Sequence, residues 1–152
     1  MQIAPVAGEP RATHGKKGCV AVVDITWPID AATSTIEITD FVWPSMTDAD
    51  KAAVAAFRAA LAAHEEGHFV TVEAAIAKLP KTISAAGASG QAAMTALQTK
   101  VNEQLAAGQK AVDKAKDDYD AKTKNGKTQS AVGGTNVTLT CPARAATSAP
   151  KP

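Results

Sequence analysis

The residues best equipped for chemistry sit together at His64-Glu65-Glu66-Gly67-His68. They form an H-E-x-x-H pattern inside a stretch that reads as helix. Residues four apart on a helix share a face, so two imidazoles can grip one Zn2+. Zinc lowers the pKa of a bound water, and Glu65, between the histidines, takes its proton as the water attacks a carbonyl. With about 2% His and about 4% Glu in the chain, a chance match is on the order of 0.2%. Two of the three histidines fall in the motif. Both stand on an apolar stripe, where a polar side chain needs a partner. The plainer alternative is a pair of core-edge histidines hydrogen-bonded to carboxylates. Zinc needs at least a third protein ligand. No histidine follows His68, so the candidates are acidic residues, or His14 near the N-terminus.

The elements that must position these groups are also legible. Thr47 with Asp48 and Asp50 marks a helix start, a hydroxyl cap with acids in the first turn. Val54, Phe57, Leu61, His64, His68, Val72, Ile76 and Leu79 recur at steps of three and four, and Pro80 ends the run. A Gly/Ser loop is expected to about Gly90. A second helix follows, with Met94, Leu97, Val101, Leu105, Gly108, Val112, Ala115 and Tyr119 on one face. It stops near Asn125-Gly126. Strands are expected at 19–27, dense in β-branched residues, and at 35–43, with Ile36 and Ile38 alternating against polar neighbours. The two would form a hairpin through 28–34. A last strand is expected at 136–141. The predicted fold class is α+β: an antiparallel helical hairpin carrying H-E-x-x-H, packed on a small antiparallel sheet, a minimal zincin-like domain. Residues 1–17 read as a flexible arm, 18–141 as a single domain and 142–152 as a disordered tail.

Composition narrows the function classes. The chain has 152 residues and 45% hydrophobic residues, with 16 Lys+Arg against 15 Asp+Glu. That balance argues against a nucleic-acid binder. The longest apolar run, Ala52 to Ala63, is broken by Arg58 and too short to span a bilayer. Cys19 and Cys141 each end a strand-like run, so a Cys19–Cys141 disulfide is expected. Closing so long a loop is worth about 4–5 kcal/mol. The N-terminal residues carry neither the basic nor the apolar region of a signal peptide.

A second motif lies downstream: Tyr119-Asp120-Ala121-Lys122-Thr123-Lys124-Asn125-Gly126-Lys127-Thr128-Gln129. With the first motif it resembles the domain of unknown function 922 family, bacterial and mostly secreted or periplasmic proteins predicted to be zinc-dependent proteases. The family pattern is H-E-x-G-H followed by Y-D-x-x-T-x-H-G-x-x-Q-G. The strand with Thr26-Trp27 is similar to the family's entry strand, and the resemblance covers roughly residues 18–133. Asn125 stands where the family has His, and Ser130 where it has Gly. The resemblance implies a zinc peptidase acting on peptide or protein, in a mature secreted or periplasmic chain. Its alternative is a catalytically reduced relative that binds metal or a protein partner without turnover. It also implies a third ligand in the second motif. Asp120 is the preferred one, since asparagine is a poor zinc ligand; Glu103, His14 and Asn125 are the alternatives. Tyr119 is the candidate oxyanion donor. Glu73 is a weak candidate partner for an imidazole N–H, and Glu66 reads as a solvated acid.

Straight helices raise an obstacle. With a turn centred near residue 85, the histidines face Val101 and Leu105, and Asp120 lies roughly 22 Å further along at 1.5 Å per residue. Glu103 has the right height but points away from the facing side. The site closes on Asp120 only if a helix breaks, for instance at Gly108, or if the first helix is shorter than its stripe.

Overall fold

The computed structural model describes residues 2–15, 18–29, 36–128 and 139. The element order is β1 (Val6–Ala7), β2 (Arg11–Gly15), β3 (Gly18–Thr26), α1 (Asp48–Ile76), β4 (Thr82–Gly87) and α2 (Gly90–Thr123). The described residues form an α+β arrangement of two helices and a small antiparallel sheet, as the patterning predicts.

β3 is the hub of the sheet. It pairs antiparallel with β1 at its C-terminal end, with β2 over Gly18–Val22 and with β4 over Cys19–Asp24. Alternation explains its central place. Cys19, Ala21, Val23 and Ile25 turn inward and are buried, while Val20, Asp24 and Thr26 turn outward. Residues 1–17, expected to be a flexible arm, instead contribute β1 and β2. Their backbone completes the ladder on β3, and Arg11 forms an exposed ion pair with Asp24 at 2.6 Å.

The expected strand at 35–43 is not found: residues 36–43 are not strand. β3 has only two edges, and β1, β2 and β4 occupy them. Residues 40 and 41 lie against α1 instead. Asp40 pairs with Arg58 at 3.0 Å, and Phe41 meets Phe57 edge-on at 6.2 Å. The predicted Gly/Ser loop before α2 contains β4. Ile83 and Ala85 are buried and alternate with exposed neighbours. Its small residues admit the helix that covers it: a Cβ added to Gly87 would lie 2.3 Å from the Ala93 backbone nitrogen. Of the strand expected at 136–141 only Leu139 is described, and it is not in a strand; the tail at 142–152 lies outside the described residues.

The Cys19–Cys141 disulfide is a further correction. Cys19 is a free thiol, 1% exposed. It is buried on the core face of β3, with Sγ 3.0 Å from His14 Nδ1. Cys141 lies outside the described residues.

α1 begins where its cap predicts. Thr47 Oγ1 accepts from the Asp50 N–H at 3.1 Å, and Asp50 Oδ2 accepts from the Thr47 N–H at 3.2 Å. It ends at Ile76, one turn before Pro80. The chain then continues through β4, turns at 88–89 and returns as the 34-residue α2. α2 runs antiparallel first to β4, with Lys100 Nζ on Ser84 O at 3.0 Å, and then to α1. Ala93, Leu97 and Val101 join the sheet core, and Val112 and Val72 extend it between the helices. Trp27 locks the junction. Its Nε1 donates to Pro80 O at 2.8 Å, and a Cβ on Gly108 would lie 2.5 Å from its ring.

This path removes the obstacle of straight helices. Going from Leu79 to His64 along α1 matches going from Gly108 to Thr123 along α2. His64 therefore faces residue 123, not 105. The six residues of β4 cover about 20 Å at 3.3 Å each, where a helix needs about thirteen. α2 stays helical through Gly108 and needs no break.

Candidate metal centre

α1 and α2 bring His64, His68 and Asp120 together at the end of α2 far from β4. His64 Nε2 and His68 Nε2 each lie 3.1 Å from Asp120 Oδ1. One ligand atom from each residue lies within 4.8 Å of the other two. His64 is buried, and His68 and Asp120 are half-buried. Among the described residues this is the one such cluster of His, Cys, Asp and Glu.

The donor set suits a metal. Two imidazoles and a carboxylate are zinc-type ligands. A tetrahedral zinc with bonds of about 2.05 Å places its ligand atoms about 3.3 Å apart. The two histidine–Asp120 separations of 3.1 Å are close to that value, and all three ligand atoms lie within 4.8 Å of one another, so the group could bind a metal ion. The 3.1 Å distances also fall in the hydrogen-bond range, so Asp120 Oδ1 accepts from an imidazole that carries its hydrogen on Nε2.

Aromatic packing holds the cluster. The Tyr119 ring stacks on His64 with centroids 5.3 Å apart and meets His68 edge-on at 4.9 Å; the two imidazoles lie at 4.7 Å. The Tyr119 hydroxyl is buried against Gly67 and has no hydrogen-bond partner among the described residues. Gly67 is required there, since an added Cβ would lie 1.8 Å from the Tyr119 hydroxyl oxygen. His68 Nδ1 is likewise buried and unpartnered among the described residues. His64 Nδ1 lies 3.4 Å from Thr123 Oγ1.

α2 ends just past the cluster. Lys124 and Asn125 adopt left-handed backbone, with φ 52 and 54, and Gly126 follows at φ 82. Asparagine is one of the few non-glycine residues that visit this region readily. The Asn125 N–H donates to Asp120 O at 2.8 Å, which ties the turn to the residue carrying the carboxylate.

The other candidates fall elsewhere. Glu65 is half-buried beside His64 and has no ion pair among the described residues, while Glu66 is exposed. Glu103 lies against Thr82 and Ser84, His14 lies on the sheet beside Cys19, and Asn125 is exposed. Glu73 lines a cavity with Trp27 and Ile76, away from the imidazoles. Sequence reasoning assigned no role to Gly67 or Thr123. Their signal was spacing: Gly67 lies in the first motif, and Thr123 one turn beyond Tyr119 in the second.

Comparison with known proteins bears on this cluster. The pattern of the family described as "Bacterial protein of unknown function (DUF922)" matches residues 30–129, about two thirds of the chain. The chain belongs to this family. The match spans the capped helix α1, β4 and all of α2, so both motifs lie inside it, while Thr26-Trp27 lies just outside. No curated protein and no solved structure matches significantly. Among the described residues no helix is long and apolar enough to cross a membrane.

Proposed function

We propose that this member of the family is a zinc-dependent peptidase of zincin-like design, acting on peptides or proteins outside the cytoplasm. The observation that carries the reading is the convergence of His64 Nε2, His68 Nε2 and Asp120 Oδ1 on one point. His64, His68 and Asp120 hold the metal. Bound zinc supplies a water of lowered pKa and polarises the scissile carbonyl. Glu65 follows His64 on α1, where a carboxylate can take the proton from the attacking water and pass it to the leaving amine. The family resemblance supports the placement outside the cytoplasm.

Two observations favour a second reading, metal binding without turnover. The Tyr119 hydroxyl, the candidate oxyanion donor, is buried against Gly67, and Asn125, in the place of the family's histidine, is exposed. The experiment is zinc content together with hydrolysis of unfolded casein, for the wild type, His64→Ala, Asp120→Ala and Glu65→Gln. The peptidase reading expects one zinc per chain, lost in the first two variants. It also expects casein cleavage that Glu65→Gln abolishes while keeping its zinc. Zinc without cleavage selects the second reading, and no zinc uptake by the wild type refutes both.

A further inference from the structure

We propose that Thr123 is a positioning residue for the metal centre: its hydroxyl sets which ring nitrogen His64 presents to the metal. The proposal rests on the metal-site reading above and extends it to a side chain outside the ligand set.

The argument is proton bookkeeping at one oxygen. A threonine hydroxyl has one proton and two lone pairs. Thr123 Oγ1 donates that proton within α2, to Tyr119 O at 2.9 Å with Asp120 O at 3.4 Å. Its lone pairs face the Gly126 N–H at 3.3 Å and His64 Nδ1 at 3.4 Å. An oxygen whose proton is already committed can only accept, so the bond to His64 forms when Nδ1 carries hydrogen. A neutral imidazole protonated at Nδ1 has its free lone pair on Nε2. Nε2 is the nitrogen that faces Asp120 Oδ1 at 3.1 Å. With a metal in place of that hydrogen on Nε2, the ring's remaining hydrogen sits on Nδ1, where Thr123 Oγ1 accepts it. Histidine ligands commonly donate their second ring N–H to such an outer acceptor, which fixes both tautomer and ring angle.

The hydroxyl is itself held in place. Thr123 is 8% exposed, in the last turn of α2. Its carbonyl accepts from the Thr128 N–H at 3.1 Å and from the Thr128 hydroxyl at 3.0 Å. The left-handed turn at Lys124 and Asn125 carries the chain back to make these bonds. The cap of α2 thus builds the site as well as ending the helix. The two imidazoles are held unequally: Thr123 orients His64, whereas His68 Nδ1 has no partner among the described residues and relies on packing against Tyr119.

The test compares the wild type with Thr123→Ser, Thr123→Val and Thr123→Ala. Each is titrated with Zn2+ against a competing chelator, and the imidazole N–H signals of the zinc-loaded proteins are read by 15N-edited NMR. The serine variant keeps the acceptor and is expected to keep wild-type affinity and the slowly exchanging His64 Nδ1–H. The valine variant keeps the shape and loses the acceptor. It is expected to bind zinc about 10–100-fold more weakly, the usual penalty for losing an outer partner, and to lose that signal. Thr123→Ala, smaller in every direction, carries the same expectation if valine disturbs the turn. Wild-type affinity and a retained Nδ1–H signal in Val or Ala overturn the proposal and leave the metal reading intact. A serine variant as weak as valine also overturns it, because packing of the methyl group then explains the loss. No zinc uptake by the wild type overturns the proposal together with the metal reading.

Discussion

Replacing Gly67 by alanine probes the contact that holds the two helices at their working distance. The added Cβ would lie 1.8 Å from the Tyr119 hydroxyl oxygen, 2.3 Å from Cζ and 3.1 Å from Cε1. Comfortable contact begins near 3.5 Å, so helix or ring must give way by more than about 1 Å. The ring is confined, stacked on His64 and edge-on to His68. Overpacking of this kind costs about 1–3 kcal/mol. Alanine returns up to about 1 kcal/mol through its better helix propensity. These leave a net loss of about 0–3 kcal/mol, and its middle, about 1–2 kcal/mol, lowers Tm by about 2–8 °C at about 2–4 °C per kcal/mol. The same displacement draws Asp120, next to Tyr119 on α2, away from both imidazoles, so zinc affinity falls with Tm. Thermal unfolding of the apo protein and a zinc titration read the two effects separately. Gly90→Ala is the control, because its Cβ meets nothing within 4 Å, and its Tm should not fall. A Gly67→Ala protein that melts at or above the wild type, with unchanged zinc affinity, would refute the close-contact argument.

Three further predictions follow from the same structure. Zinc at one hundred times its Kd adds about 2.7 kcal/mol to the wild type, a Tm rise of about 5–11 °C, and Asp120→Ala should show none; an equal rise in that variant removes Asp120 from the site. Thr47→Ala breaks the capping box of α1 and should cost about 1 kcal/mol, read as a Tm loss of about 2–4 °C; an unchanged melt shows that the cap does not contribute. A reducing agent should leave Tm unchanged because Cys19 is a free thiol, whereas rupture of a long-loop disulfide would remove about 4–5 kcal/mol.

The parts of the fold legible in sequence are those set by local patterning. The α1 start was readable because Thr47 and Asp50 satisfy each other's backbone N–H groups three residues apart, with no help from the rest of the chain. α2 was readable from its stripe and from the left-handed Asn125-Gly126 stop. β4 was not, because Ser84, Ala85, Ala86 and Gly87 carry the composition of a loop. Their strand state comes from pairing with β3, a neighbour some sixty positions away. Residues 35–43 erred the other way. Their alternation resembles a strand, yet residues 36–43 find no free edge of β3. Cys19 read as a disulfide partner from its place at a strand end, whereas its thiol is free, buried in the core face of β3 and in contact with His14.

The candidate site divides along the same line. The sequence by itself determined that two imidazoles share a face of α1, since a spacing of four on a helix leaves no other arrangement. The second motif nominated Asp120, Tyr119 and the turn after them. Only the tertiary structure decided that Asp120 reaches the imidazoles. An extended strand advances about 3.3 Å per residue and a helix about 1.5 Å. By inserting β4 between the helices, the fold slides α2 along α1 until residue 123 stands opposite His64. No local pattern encodes that offset, because it depends on how much of the intervening chain is extended. That in turn depends on β3 having an edge to offer.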